Sequence, residues 1–306
     1  MPRVSIGLPV YNGERYLAAS LESLLGQTFG DLEVVVCDNA STDGTGEIVH
    51  DFKRRDRRVR YIRNPINIGA NRNYNLAMSL ARGDYFKLGA DDDVLEPSYI
   101  QRTISLLDND PTVSLAHSGI RYIGDDGAPL IYDPARKRYV DHAGLTSIEP
   151  PDPNYGTDDD PVRRFHKVLR YSVTSHFSLG MLRVSMLRRT HGFGPYYSAD
   201  RAFLAEMALY GKFAAVPEVL FFKREHHNNS RSLSPEQRIR WSGQTLASRQ
   251  AEYVHLMRVV WSSPLNPWDK ARCFAESIAK VAGRNLHQVM KHYWGSVPGG
   301  VAPVKL

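Results

Sequence analysis

Three adjacent carboxylates, Asp91, Asp92 and Asp93, follow the apolar run Tyr85–Leu88. Clustered like charges disfavour their own ionised forms, and a divalent cation relieves that cost. Oxygen donors of this kind suit Mg²⁺ or Mn²⁺, ions that commonly share their coordination with substrate phosphates. The plainer alternative is a solvated acidic turn ahead of the helix that Pro97 opens. A second triplet, Asp158-Asp159-Asp160, is a control. No strand precedes it, its surroundings are Pro-rich, and Asp160 before Pro161 reads as a helix cap. The usual phosphate cradles are missing. The turn after the first apolar run, Pro9-Val10-Tyr11-Asn12-Gly13-Glu14, lacks GxGxxG, and no GxxxxGK[ST] occurs anywhere. Charge neutralisation for a diphosphate would therefore come from the carboxylate–metal site.

The elements that must position these groups alternate. Val4–Leu8, Leu32–Cys37, Val59–Ile62, Asp84–Leu88 and Val113–His117 read as short buried strands. Between them, helical spacing marks Gly13–Leu25, the segment from Ser41-Thr42-Asp43 to about Arg55, and Asn71–Ala81. This alternation predicts a mostly parallel α/β sheet flanked by helices, with ligands beyond the carboxyl ends of its strands. Residues 124–161 read as a hairpin and a long loop, followed by helices over Val162–Tyr171 and Ser198–Leu209. Pro235–Val260 and Asn266–Trp294 read as two long helices. The predicted organisation is a catalytic unit over residues 1–235 and a basic helical region over 236–306.

The chain has 306 residues and a net charge of +6. From Glu236 onward ten Lys/Arg oppose four Asp/Glu, so the whole excess lies there. That is either a solvated helical face or a surface for anionic lipid or an anionic acceptor. Cys37 and Cys273 match no metal-ligand spacing and fit a reducing compartment. No leader-like segment or bilayer-length apolar run is evident, so the expected location is the cytoplasm, at the inner face of the membrane if the basic helices dock there.

Several ordered segments then resemble family-2 glycosyltransferases of the GT-A fold. They are Val4–Asn12 with Glu14; Leu32–Val34 through Cys37-Asp38-Asn39-Ala40-Ser41-Thr42-Asp43-Gly44-Thr45; Asn67-Ile68-Gly69 with Asn75; and Asp92-Asp93 with Pro97. The resemblance spans about residues 4–105. It implies a Rossmann-like GT-A sheet with a C-terminal helical extension, and inverting, metal-dependent sugar transfer from a nucleoside-diphosphate sugar. It places Pro9, Tyr11, Asn12, Glu14, Asp38, Asn39, Ser41, Asn67, Arg72 and Asp91 about the nucleotide-sugar. Asp38 would accept from a ring nitrogen of the base, which favours uracil or thymine. Asp92, Asp93 and His226 would serve the metal. Further on, Gly192-Phe193-Gly194 with Ala199-Asp200 resembles the segment that carries the general base, here Asp200, and Lys223-Arg224-Glu225-His226 resembles a later basic segment. Two positions depart from the pattern. Ala90 stands where a first Asp is usual, and Tyr74 where an Arg often precedes Asn75, leaving Arg72 as the nearest cation.

The expected partners are a nucleotide-sugar donor and a glycan or lipid-linked acceptor; nucleic acid is not expected. Two other readings are a nucleotidylyltransferase, disfavoured by the missing basic Gly-rich loop, and a non-catalytic sugar-binding protein with a degenerate site. Tyr132, Tyr139, Tyr155, Tyr171 and Phe177 could stack on acceptor rings, with core packing as the default.

Overall fold

The computed structural model describes residues 1–140, 156–171, 180–226, 233–243, 248–275 and 277–278. Tyr155, Phe177, the Asn228-Asn229-Ser230 sequon and most of the predicted 266–294 helix lie outside them.

The first half follows the predicted alternation: β1 (Val4–Val10), α1 (Leu17–Leu25), β2 (Leu32–Asp38), α2 (Thr45–Arg55), β3 (Val59–Arg63), α3 (Ala70–Ser79), β4 (Tyr85–Leu88), β5 (Val94–Leu95), α4 (Tyr99–Asn109) and β6 (Val113–Ile123). A hairpin of β7 (Ile131–Asp133) and β8 (Arg138–Val140) comes next. Then follow α5 (Pro161–Tyr171), β9 (Met181–Arg183), α6 (Val184–Leu187), α7 (Ala199–Tyr210), β10 (Lys212–Arg224), α8 (Pro235–Ser242) and α9 (Ser248–Ser262).

Eight strands form one sheet in the order β3-β2-β1-β4-β9-β6-β10-β5. β1 to β4 are mutually parallel where they pair, and so are β6 and β10; β9 runs antiparallel between β4 and β6, and β5 antiparallel to β10. Strands β1 and β2 are buried at every position because helices cover both faces. On β4, Phe86 and Leu88 join the core of α5, α7 and α9, while Tyr85 joins that of α1 and α4. Register brings Val10, Asp38 and Arg63 level at the carboxyl ends of β1, β2 and β3.

Three local expectations change. Ser41 and Asp43 were expected to cap α2 directly, but the helix begins at Thr45 behind Gly44, and no side chain caps it. Asp43 instead accepts from the Thr45 amide, 3.1 Å. The long helix expected over Pro235–Val260 is two helices, because Gly243 takes the left-handed conformation (φ 69°) and ends α8. β9 and β10 had been left unassigned. β9 is only three residues long, and β10 carries Pro217 and register irregularities that break the strand pattern. Helix α9 packs on this unit: Leu256, Val259 and Val260 are buried in the same core as α5 and α7.

Candidate active site

The end expected to take the nucleotide is built where two turns are lashed together. Asn12 sits at φ 54°, where asparagine is among the few residues tolerated. Its amide donates to Ser41 Oγ (3.0 Å), and its side-chain oxygen accepts from the Thr42 amide (2.8 Å). Glu14 Oε2 accepts from the Gly44 amide, 2.7 Å. Pro9 is buried in β1, and Tyr11 stands 49% exposed at the rim. Asp38 is fully buried. It accepts from the Ser41 amide (2.8 Å), the Tyr61 hydroxyl (2.6 Å) and the Arg63 guanidinium. Burial alone would raise its pKa, but these donors hold it below the ordinary carboxylate range. Asn39 ties this end to the next motif, donating to Asn67 Oδ1 (2.9 Å) and accepting from the Ile68 amide (2.9 Å). Arg72 is exposed on α3.

The acidic end lies beyond β4. Asp91 abuts Gly13 of the first turn, where an added Cβ would collide with its carboxyl. Burial, then the neighbouring charge of Asp92, raises the Asp91 pKa to about 8. Asp92 Oδ2 lies 3.0 Å from His226 Nε2. Burial pushes Asp92 up, but His226 and then Lys223 pull it below its ordinary value; the same bond raises His226. Asp93 faces inward. Its Oδ1 accepts from the Arg224 amide (2.9 Å), while Oδ2 is buried without a hydrogen-bond partner among the described residues and lies 4.0 Å from Lys223 Nζ. Burial raises Asp93 to about 7 and lowers the adjacent, fully buried Lys87 to about 7. Among the described residues no group of three or more His, Cys, Asp or Glu side chains converges as a cation cage. Asp92 with His226 forms a pair. An under-compensated, buried set of oxygen donors nonetheless fits a divalent cation whose remaining ligands come from phosphate.

A third group faces this end. Asp200 lies in the first turn of α7, behind Ser198 at φ 64°, and its Oδ1 accepts from the Arg201 amide, 2.9 Å. It is therefore not the helix's N-cap residue. Tyr74 connects the two sides. Burial, and then the charges of Asp91, Asp92 and Asp200, push its hydroxyl well above the usual tyrosine range. Its ring meets Phe193 at 5.2 Å and Trp241 at 6.1 Å.

The model of the family described as "Glycosyl transferase family 2" matches residues 5–148. Residues 5–148 belong to glycosyl transferase family 2. A Methanocaldococcus jannaschii protein described as an uncharacterized glycosyltransferase is 30% identical over 128 residues, 41% of this chain and 44% of its own. A chondroitin synthase of Pasteurella multocida is 34% identical over 128 residues, 42% of this chain and 13% of its own. The chain thus spans less than half the length of these relatives. The crystal structure of S. aureus TarS 1–349 superposes with a TM-score of 0.65 at 16% identity, covering 94% of this chain and 74% of that one. The same TarS fragment is also known in complex with UDP-GlcNAc, at a TM-score of 0.63. The fold is therefore GT-A. The family-2 segment contains the nucleotide end and the acidic loop, whereas Asp200 and His226 lie beyond it.

Sequence analysis does not single out three residues of this site. Arg224 donates to the carbonyls of Asp92 (3.0 Å), Gly124 (3.0 Å) and Asp125 (3.2 Å) and lies 4.7 Å over the Tyr16 ring. It was visible only as part of a basic segment. Arg63, clasping Asp38 and the Ser41 carbonyl (2.8 Å), had no signal beyond the end of its strand. Tyr74 was visible as a departure but read as a lost cation.

Proposed function

We propose that this chain is an inverting glycosyltransferase that moves a sugar from a uridine or thymidine diphosphate-sugar to an acceptor hydroxyl. The observation that carries the reading is the buried acidic loop. Asp91 abuts the turn at Gly13, and Tyr74 lies within electrostatic reach of Asp91, Asp92 and Asp200. In this reading Asp38, held ionised by its donors, accepts from a ring N–H of the base. Tyr11 and Arg63 border it. Asn12, Glu14, Asn39, Ser41 and Asn67 shape the ribose side, and Asp91 and Arg72 border the diphosphate. Asp92 and His226, with Asp93 behind them, are the residues that would hold Mg²⁺ or Mn²⁺. A bound cation supplies neutralisation of the charge that develops on the departing nucleoside diphosphate. Asp200 acts as general base: it takes the acceptor hydroxyl's proton as that oxygen attacks the anomeric carbon.

The deciding experiment is a thermal-shift panel of nucleotide-sugars with Mn²⁺ or Mg²⁺. Stabilisation by uridine or thymidine diphosphate-sugars only when the cation is present supports the reading. Indifference to all of them overturns it.

For the acceptor side, peripheral docking on an anionic lipid surface has its own observation. Trp261 and Trp268 are each 75% exposed in the basic region, with Arg258 exposed one turn before Trp261. No helix among the described residues is long and apolar enough to cross a membrane. Binding to vesicles containing anionic lipid that is lost in a Trp261→Ala, Trp268→Ala double variant supports docking; binding unchanged in that variant refutes it.

A further inference from the structure

We propose that Asn71 and Asn75, one turn apart on α3, are positioning residues that set the Asp200 loop against the donor site. The proposal rests on the reading of Asp200 as the base. Asn75 makes a two-way clasp with one residue: its Nδ2 donates to the Phe193 carbonyl (2.9 Å), and its Oδ1 accepts from the Phe193 amide (2.8 Å). Asn71 spends both amide hydrogens on the same loop, donating to the carbonyls of Gly194 and Tyr196 at 2.7 Å each. Two side chains thus satisfy four backbone groups of residues 193–196 that no secondary structure serves. Only a primary amide offers this pairing of donor and acceptor at that length.

The loop is shaped to receive the clasp. Gly192 sits at φ 68°, and a Cβ there would strike the Asn75 amide. From the clasp the chain passes through Ser198, held at φ 64°, to Asp200. A non-glycine residue persists in that region only where its surroundings over-determine it. The far side of the same helix is fixed to the nucleotide end. Asn73 donates to the Cys37 carbonyl (2.7 Å) and accepts from Asn64 (3.1 Å), and Asn64 also donates to Asn39 Oδ1 (3.1 Å). Cys37 precedes Asp38. α3 therefore works as a ruler. Its asparagines tie one side to the end of β2 and the other to the Asp200 loop, and Tyr74, between Asn73 and Asn75, lies within electrostatic reach of Asp91, Asp92 and Asp200.

The test reads UDP release from UDP-GlcNAc with Mn²⁺ and water as acceptor, the best substrate of a UDP-sugar and dTDP-sugar panel replacing it if faster. UDP affinity is measured by calorimetry. Asn71→Ala and Asn75→Ala are expected to lower kcat about 10- to 100-fold, as small misplacement of a reacting group does, with UDP affinity within about twofold. In an Asp200→Asn background the same substitutions are expected to change kcat by less than about twofold, because the group they position is already inactive. Asn75→Asp keeps the acceptor for the Phe193 amide and loses the donor, so it serves if the alanine variants fail to fold; the same kcat pattern is expected of it. Effects that multiply in full with Asp200→Asn, or UDP affinity falling in step with kcat, overturn the positioning role. Full activity of Asp200→Asn alone overturns the base reading instead.

Discussion

Two aspartate triplets of the same composition sit in this chain, and their surroundings differ in kind. Each carboxylate of Asp158–Asp160 has a cation near it: Lys167 lies 2.8 Å from Asp158, Lys212 pairs with Asp159, and Arg272 lies 3.6 Å from Asp160. Arg164 takes up the carbonyls of Asp158 (2.7 Å) and Asp159 (2.8 Å). Asp160 caps α5 by accepting from the Val162 amide, 2.9 Å. Asp91–Asp93 are more deeply enclosed and have less to balance them, with His226 on Asp92 and a distant Lys223 on Asp93. The first triplet is neutralised by its own fold. In the second, burial and mutual repulsion push Asp91 and Asp93 toward the protonated form instead, a perturbation of the kind that clusters at functional sites.

The sharpest break of this comparison is Asp92→Ala. A metal-assisted leaving group is worth several kcal/mol, so kcat should fall by more than about 100-fold. Turnover assays with Mn²⁺ and with EDTA check it; a variant as active as wild type in EDTA would leave the two triplets equivalent. Next in size is Asp200→Asn, expected to cost about 10²- to 10⁴-fold in kcat, the range of general-base catalysis. UDP affinity by calorimetry should stay the same, because Asp200 lies outside the nucleotide end.

How much of this contrast could be read from the residues depended on range. The β1–β4 alternation and the acidic loop were legible because both are local: apolar runs, turn residues and a carboxylate cluster at a strand end. The capping role of Asp160 was legible for the same reason, since cap and helix are adjacent. The electrostatic difference was not. It depends on Lys212, Arg272 and His226, which lie between 53 and 134 residues from their partners in the chain and arrive only through β10 and the C-terminal region. Asn71 was likewise invisible, because an amide at that position gains meaning only from carbonyls more than 120 residues away.

A smaller effect sharpens the comparison through pH. Without a cation Asp91, raised to about 8, is protonated at neutral pH. The unfolded chain gives up that proton near the ordinary value for aspartate, about 3.9. The folded state therefore holds the extra proton between those values, and its stability falls as pH rises across that window. Cation binding must expel the proton. Mn²⁺ affinity should rise with pH up to about 8, and calorimetry in buffers of different ionisation enthalpy should register proton release at pH 7. Asp91→Asn should reduce both the release and the pH slope, leaving the part contributed by Asp93 and His226.

The smallest expected effect is on the control side. Asp160→Ala should cost about 1 kcal/mol, the value of a lost N-cap, and lower Tm by a few degrees. Asp159→Ala removes a carboxylate whose side chain is 90% exposed and should leave Tm unchanged. Neither should alter kcat, Mn²⁺ affinity or the pH dependence of either, because the charges of this triplet are answered within its own loop, α5 and the segments packed on them. A change in Mn²⁺ affinity in either variant, with Tm corrected for, would mean that the two triplets share a field. The distinction between a self-neutralised cluster and one left for a ligand would then fail at its quieter end.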